Sequence, residues 1–279
     1  MVIVQDTSAS PAGRRRPPVG ELMRTWRERR GLSQLGLASV AGISVRHLSF
    51  LETGRSHPSR EMIARLGTHL ELVPREQNEL LLAAGFAPAF TALALESEEM
   101  ASVRAALRRI VTANEPFPAH VVDRGWNIVE SNAGFGIFSL DADPFLLEAP
   151  VNALRLALHP KGMRPRILNF GEWSHSLLAR LGRRVTLTGD PALAALYREV
   201  VGYAPHDPGQ TDDAPELMVP LRIRYRDDEL ALFCTIATFG TPLDVTVSEL
   251  AIETFLPADP ETTAILQRLD HQENRARSS

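Results

Sequence analysis

The sequence predicts a multi-domain chain: an all-α bundle of five short helices over residues 18–88, then an α+β domain over 113–260 built on a five-stranded antiparallel sheet. Three observations predict it. The 279 residues are too many for one small module and suit two domains of roughly 100–200 residues each. Apolar residues recur at helical spacing, in short pieces, as far as Gly85, and β-type runs follow only after Pro118. Capping residues, glycine and proline stand at nearly every break in the helical pattern.

Residues 1–17 carry no apolar periodicity beyond the first four positions and read as a disordered tail. The tail runs into Arg14-Arg15-Arg16-Pro17-Pro18, which is either a minor-groove arm or a solvated basic tail. Val19, Leu22, Met23 and Trp26 follow i, i+3, i+4, i+7 spacing, and Gly31 ends that helix. Ser33 caps a second helix with Leu37, Ala38 and Ala41 inward, and Gly42 stops it. Ser44 caps a third, with Leu48 and Leu51 inward, ended by Gly54. Met62, Ile63, Leu66 and Leu70 mark a fourth, and Pro74 opens a fifth that closes before Gly85. Helices this short hold only by packing on one another. Gly36, inside the second helix, costs about 1 kcal/mol relative to alanine.

Residues 89–112 form a connector leading into a helix over 97–111. Short strands at 119–123 and 126–130 flank the turn Asp123-Arg124-Gly125. Asn132 caps a short helix bearing Phe135 and Phe138, helical segments follow near 151–158, 164–182 and 191–202, and 203–215 is an exposed loop rich in Pro, Asp and Gly. Strands at 217–226, 230–239 and 243–255 close the domain, turning at Asp227-Asp228 and at Gly240-Thr241-Pro242. Two strands, several helices, then three strands suit one antiparallel sheet with helices on one face. Residues 261–279 are read as a polar tail that frays.

The net charge of −4 conceals an asymmetry. Residues 14–60 hold ten arginines against Glu21, Glu28 and Glu52, and residues 1–88 sum to +4 while 89–279 sum to −8. An acidic chain with a basic first third meets a polyanion with that third alone. The longest uncharged stretch, 80–95, is 16 residues and contains Gly85 and Pro88, short of the roughly 20 that a membrane helix needs. No membrane insertion and no secretory signal are expected. Cys234 is the one cysteine, so an intramolecular disulfide is excluded, a Cys-based zinc site is not expected, and a cytoplasmic location is the default. There is no Gly-x-Ser-x-Gly elbow, no His-Glu-x-x-His and no phosphate-cradling glycine loop. An enzyme therefore lacks its parts: no catalytic residue, metal or cofactor is expected.

The segment Leu32-Ser33-Gln34-Leu35, continued by Ala41-Gly42-Ile43-Ser44-Val45-Arg46-His47-Leu48-Ser49-Phe50-Leu51-Glu52-Thr53-Gly54-Arg55, resembles the XRE/Cro-like helix-turn-helix, a lambda-repressor-like fold. The turn between the second and third helices must be tight, and Gly42 permits the left-handed conformation there. With Leu48 and Leu51 inward, Val45, Arg46, Ser49 and Phe50 are left for base edges in the major groove of a double-stranded DNA operator. Arg46 suits guanine O6/N7 and Phe50 a thymine methyl. The resemblance further implies phosphate contacts from Gln34, Thr53 and Arg55, with Arg60 a further candidate, and an Arg27–Glu52 ion pair joining the first helix to the end of the third.

Beyond residue 113 the order of elements is that of a PAS-like fold. Glu115-Pro116-Phe117-Pro118-Ala119, Trp126-Asn127-Ile128-Val129, His159-Pro160, Arg164-Pro165-Arg166-Ile167 with Trp173, and Ile236-Ala237-Thr238-Phe239-Gly240-Thr241-Pro242-Leu243-Asp244 together resemble the MmyB-type transcription regulators. Lys161-Gly162-Met163 and Phe170-Gly171 depart from that pattern. The resemblance implies a PAS-like ligand-binding domain and, as ligand, a fatty acid or similar small amphiphilic acyl compound. Phe135, Phe138, Leu154, Leu158, Trp173, Leu177, Phe233 and Phe239 suit the wall of an apolar cavity, though the same stripe also suits a filled core. His159, Arg164, Arg166 and Asn169 suit the ligand's polar end. Each has a structural alternative: His159-Pro160 as a helix terminator, Arg164 or Arg166 paired with Asp244 or Glu172. Cys234 reads as a small core residue. The function expected is that of a ligand-responsive transcription regulator. A homodimer would set two recognition helices about 34 Å apart. In the alternative, the second domain serves only to dimerise or to dock a partner protein. An elongated cavity near His159 favours the sensor and a filled core the alternative.

Overall fold

Three serines start three of the first helices, each by taking an N–H that the first turn cannot satisfy itself. Ser33 Oγ accepts from Gly36 N at 2.9 Å, Ser44 Oγ from His47 N at 3.1 Å and Ser59 Oγ from Met62 N at 3.2 Å. The computed structural model describes residues 18–204, 219–240 and 242–277. The expected tail at 1–17, residues 205–215 of the expected loop, Leu217 and Met218 of an expected strand, and Thr241 lie outside the described residues. The chain divides into two units at Phe90 and Thr91.

The first unit is α1 (Val19–Arg29), α2 (Gln34–Ala41), α3 (Val45–Glu52), α4 (Arg60–His69) and α5 (Pro74–Ala83). Met23, Leu37, Leu48, Leu51, Ile63, Leu66, Leu70 and Leu80 are fully buried at its centre. Gly42 has φ +65°, which lets α2 stop and α3 start within three residues. Gly20 serves a different need. A Cβ there would come within 2.6 Å of the Glu52 carbonyl oxygen and closer still to that of Leu51, so α1 meets α3 only where a side chain is missing.

The second unit begins with α6 (Ala101–Thr112), entered through a 3-10 turn at Glu98–Met100. It continues through β1 (Ala119–Val122), β2 (Ile128–Ser131), α7 (Gly136–Ser139), α8 (Ala153–Leu158), α9 (Phe170–Thr188), α10 (Pro191–Val201), β3 (Leu221–Tyr225), β4 (Asp228–Thr238), α11 (Val245–Ser248), β5 (Ala251–Pro257) and α12 (Pro260–Arg277). The five strands form one antiparallel sheet in the order β2-β1-β5-β4-β3. Alternation along the strands sorts the side chains. Val122, Leu230, Leu232, Ala251 and Phe255 face α8, α9 and α10, while Ala119, Val121, Leu250 and Ile252 face Leu107 and Val111 of α6.

Four expectations are corrected. Helices cover both faces of the sheet, because α6 has its own apolar stripe to bury; the expected connector thus belongs in part to the second unit. The strand expected over 243–255 is interrupted by α11. There the Asp244 carboxylate accepts from Thr246 N at 2.8 Å and Val247 N at 3.3 Å, and its other oxygen from Thr91 Oγ1 at 2.7 Å and Leu93 N at 3.1 Å. That cap overrides the strand preference of the Val-Thr-Val run. The polar tail is α12, which extends the unit past residue 260. Asp259 Oδ1 accepts from Thr262 N at 2.7 Å, Pro260 follows it, and Ile265 and Leu266 are buried in the main core. The helix expected over 164–182 splits into a 3-10 turn at Arg164–Arg166 and α9.

Candidate functional site

On α3 the inward residues Leu48 and Leu51 are fully buried, which turns Val45 and Arg46 outward and leaves Ser49 and Phe50 half-buried. The Phe50 ring is flanked by two cations, the guanidinium of Arg46 at 5.3 Å and that of Arg55 at 5.9 Å from its centroid, within cation–π range. Arg55 N also donates to the Phe50 carbonyl at 2.9 Å, which fixes the turn after α3. The Thr53 hydroxyl donates to Ser49 O at 2.7 Å. Val45, Arg46, Ser49, Phe50, Thr53 and Arg55 therefore share one helix and its closing turn. Two other expected phosphate contacts have internal tasks: the Gln34 amide donates to Glu52 Oε2 at 2.8 Å, and Arg60 Nη1 donates to Ala87 O at 3.0 Å.

Arg27 and Glu52 meet as expected. Arg27 Nε donates to Oε1 at 2.7 Å and Nη2 to Oε2 at 3.0 Å, a two-bond fork, while Nη1 takes the Leu32 carbonyl at 2.8 Å. The bonds to Glu52 raise the Arg27 guanidinium above its ordinary value against the opposing effect of burial.

In the second unit a cavity of about 300 Å³ lies between the sheet and the helices. Five residues expected in its wall are there: Phe135, Phe138, Leu154, Trp173 and Leu177. Three are not. Leu158 is fully buried but in the surrounding core. Phe233 lies between Leu232 and Cys234, which face the helices, so the pleat turns it to the opposite face. Phe239 packs beside Leu107, Val111 and Val121 on the α6 side.

None of the four residues expected at the ligand's polar end lines the cavity. Arg164 Nη1 donates to Tyr203 O at 2.6 Å, and its guanidinium stacks 5.0 Å over Phe170. Arg166 donates to the carbonyls of Ile137 and Phe138, both at 3.0 Å. Asn169 bridges Pro220 O at 2.8 Å and Arg222 N at 3.0 Å. His159 Nδ1 accepts from Lys161 N at 3.0 Å, with its ring edge-on to Phe145 and Tyr203. These side chains brace an irregular segment whose backbone carbonyls need donors.

The polar groups of the cavity are His120 on β1, Glu253 on β5 and Ser176, Arg180 and Arg183 on α9. His120 and Glu253 are register partners across β1 and β5, and His120 Nε2 stands 3.1 Å from Glu253 Oε2. Arg180 Nη2 donates to Glu253 Oε1 at 3.1 Å, and its guanidinium lies 5.1 Å over the Trp126 ring. Burial works to raise the Glu253 carboxyl, but the bond to His120 and the charge of Arg180 outweigh it and hold the group below its ordinary value. Aromatic rings surround the set: His120 is edge-on to Phe135 and stacked on Phe255. Cys234 also lines the cavity, and burial, helped by Glu253, pushes its thiol up to about 12. Among the described residues no group of three His, Cys, Asp or Glu is placed to hold a metal ion, and no helix is long and apolar enough to cross a membrane.

Known proteins sharpen this picture. A family model described as MmyB-like transcription regulator ligand binding domain matches residues 103–269, and one described as helix-turn-helix domain matches residues 18–81. No curated protein matches the chain. Among solved structures, an RNA-binding Light-Oxygen-Voltage receptor aligns with 92% of this chain at 12% identity and a TM-score of 0.25. The chain spans 62% of that receptor's length, and so loose a superposition carries no argument.

Proposed function

The chain belongs to the MmyB-like transcription regulators, and from that premise we propose that its second domain senses a fatty acid or related acyl compound. A helix-turn-helix DNA-binding domain joined to a ligand-binding domain makes the chain a ligand-sensing transcription regulator. The observation that carries the finer reading is the cavity itself. Phe135, Phe138, Leu154, Trp173 and Leu177 offer an apolar tail its wall, and Arg180 and Arg183 offer an acidic head a charged partner on the same helix. At roughly 30 Å³ for a water-sized group, about 300 Å³ suits on the order of ten carbon-sized groups, a medium-length chain.

On DNA, Val45, Arg46, Ser49 and Phe50 face the bases, while Thr53 and Arg55 grip the backbone. A homodimer places two such helices in successive major grooves. The ligand acts by binding one arrangement of the regulator more tightly than another. The alternative, a second domain that only dimerises or docks a protein, gives no role to an aromatic cavity with arginines in its wall.

Two measurements test the reading. Native mass spectrometry before and after denaturing extraction asks whether the purified protein carries a bound acid. Thermal unfolding with an acyl-chain series asks whether each added methylene stabilises, at about 0.8 kcal/mol, until the cavity is full. Arg183→Ala is expected to weaken the acid more than the matching alcohol. A flat chain-length series together with equal masses sinks the sensor reading.

A further inference from the structure

We propose that the ligand carries a hydrogen-bond donor beside its head group, a hydroxyl or an amide N–H, which the buried Glu253 carboxylate accepts. The inference rests on the acyl-sensing reading above and specifies the head chemistry that reading leaves open.

Glu253 is an unusual group to find in such a wall. Its side chain is 6% exposed, yet it lines the cavity. Both oxygens hold one side-chain partner each, His120 Nε2 on Oε2 and Arg180 Nη2 on Oε1, both at 3.1 Å. An ionised carboxylate has about four acceptor sites, so two partners leave it under-used. A bare hydrocarbon laid over those oxygens expels water from them and supplies nothing in return, which is costly. A plain fatty acid is at a second disadvantage. Its carboxylate, drawn to Arg180, comes beside the negative Glu253 with no proton between them. A ligand donor on Glu253 supplies the missing hydrogen bond and offsets part of the repulsion.

The contact between Arg180 and Glu253 also sets the spacing. A ligand acceptor seated on Arg180 and a ligand donor seated on Glu253 occupy neighbouring edges of one guanidinium–carboxylate pair. Donor and acceptor then stand only three or four bonds apart in the ligand. A β-hydroxy acid and an N-acyl amino acid both satisfy this, and a saturated fatty acid does not.

The test compares three probes on delipidated full-length protein by calorimetry: decanoic acid, β-hydroxydecanoic acid and N-octanoylglycine. At least one donor-bearing probe is expected to bind about tenfold or more tighter than decanoic acid, the worth of one hydrogen bond to a charged group. Tighter binding of the hydroxy acid alone identifies a hydroxyl as the donor, and of the acylglycine alone an amide. Glu253→Gln, which keeps the shape of the side chain, is expected to shrink that ratio, and Glu253→Leu to abolish it. Decanoic acid binding as tightly as both other probes overturns the proposal even if neither variant folds. Failure of all three probes to bind removes the acyl-sensing reading itself, and this inference with it.

Discussion

Replacing Glu52 by alanine strips the first unit of a buried charge and leaves its partner behind. Arg27 is 7% exposed and loses both bonds of its fork. It retains the Leu32 carbonyl at 2.8 Å and the half-exposed Glu28 at 3.4 Å. Breaking a buried pair from one side costs about 3–5 kcal/mol. The two surviving acceptors place Glu52→Ala near the lower end, about 3 kcal/mol, since Arg27 is left short of partners rather than without any. At 1.4 kcal/mol per tenfold, that is a rise of about a hundredfold in the opening of α1 and α3. Native-state hydrogen exchange on the full-length chain, resolved by peptide, reads it directly. The double variant Arg27→Met, Glu52→Leu is expected to recover most of the protection, because removing both charges removes the desolvation they suffered. Unchanged exchange in α1 and α3 alongside lost DNA affinity refutes the structural role and moves Arg27 to the DNA contacts.

Other outcomes follow from the same geometry. Arg46→Ala is expected to relax base preference by about 1–3 kcal/mol; Arg55→Ala is expected to weaken all sequences alike and lower the salt slope by about one, both read by gel-shift titration at several salt concentrations. A Cβ at Gly36 presses on Ser33 Oγ, the cap oxygen of α2, at 3.3 Å, so the gain of about 1 kcal/mol that helix propensity gives Gly36→Ala is expected to be largely offset by strain on the cap, leaving little change in urea unfolding. Gly20→Ala is expected to destabilise by about 1–3 kcal/mol, because the α1–α3 approach must open. A carboxyl held low in the folded state contributes stability above its unfolded value and loses it as pH falls through the folded one. The second unit is therefore expected to lose stability below about pH 4.5, and Glu253→Gln to flatten that loss in thermal unfolding. With its thiol pushed up to about 12, Cys234 is expected to react with a thiol reagent at neutral pH far more slowly than free cysteine.

The helix-turn-helix was legible because its signals are local. Ser33, Ser44, Gly42 and the Leu48/Leu51 pair each act within a turn or two of themselves, and each does in the structure what its neighbours in sequence imply. The cavity was legible by halves. Its apolar wall could be read from Trp173 and Leu177 at helical spacing and from Phe135 and Phe138 beside a cap. Its polar groups could not be read by nearness in sequence, which pointed to His159, Arg164, Arg166 and Asn169. His120 and Glu253 are 133 positions apart and meet only because β1 pairs with β5. One signal was available: each is a polar residue at a position whose strand neighbours two away, Val122 for His120 and both Ala251 and Phe255 for Glu253, face the core. The same parity argument excludes Phe233. Strand propensity misled at 245–248, where one carboxylate, Asp244, holds the backbone as a turn. Polarity misled past residue 260, where the buried Ile265 and Leu266 outweigh their charged surroundings.

The Phe50 ring bears on how this regulator can change over generations. Arg46 and Arg55 lie against one aromatic ring, and each carries roughly 2 kcal/mol of rotamer freedom that docking on DNA would otherwise have to remove. Part of that restriction is settled by the fold before DNA arrives. The residue proposed to discriminate bases and the residue proposed to grip phosphate are thereby tied to a single codon that encodes neither of them. A substitution at position 50 is expected to loosen both at once, so operator preference and salt tolerance shift together when that ring changes, whereas a change at Arg46 or Arg55 moves one of them alone.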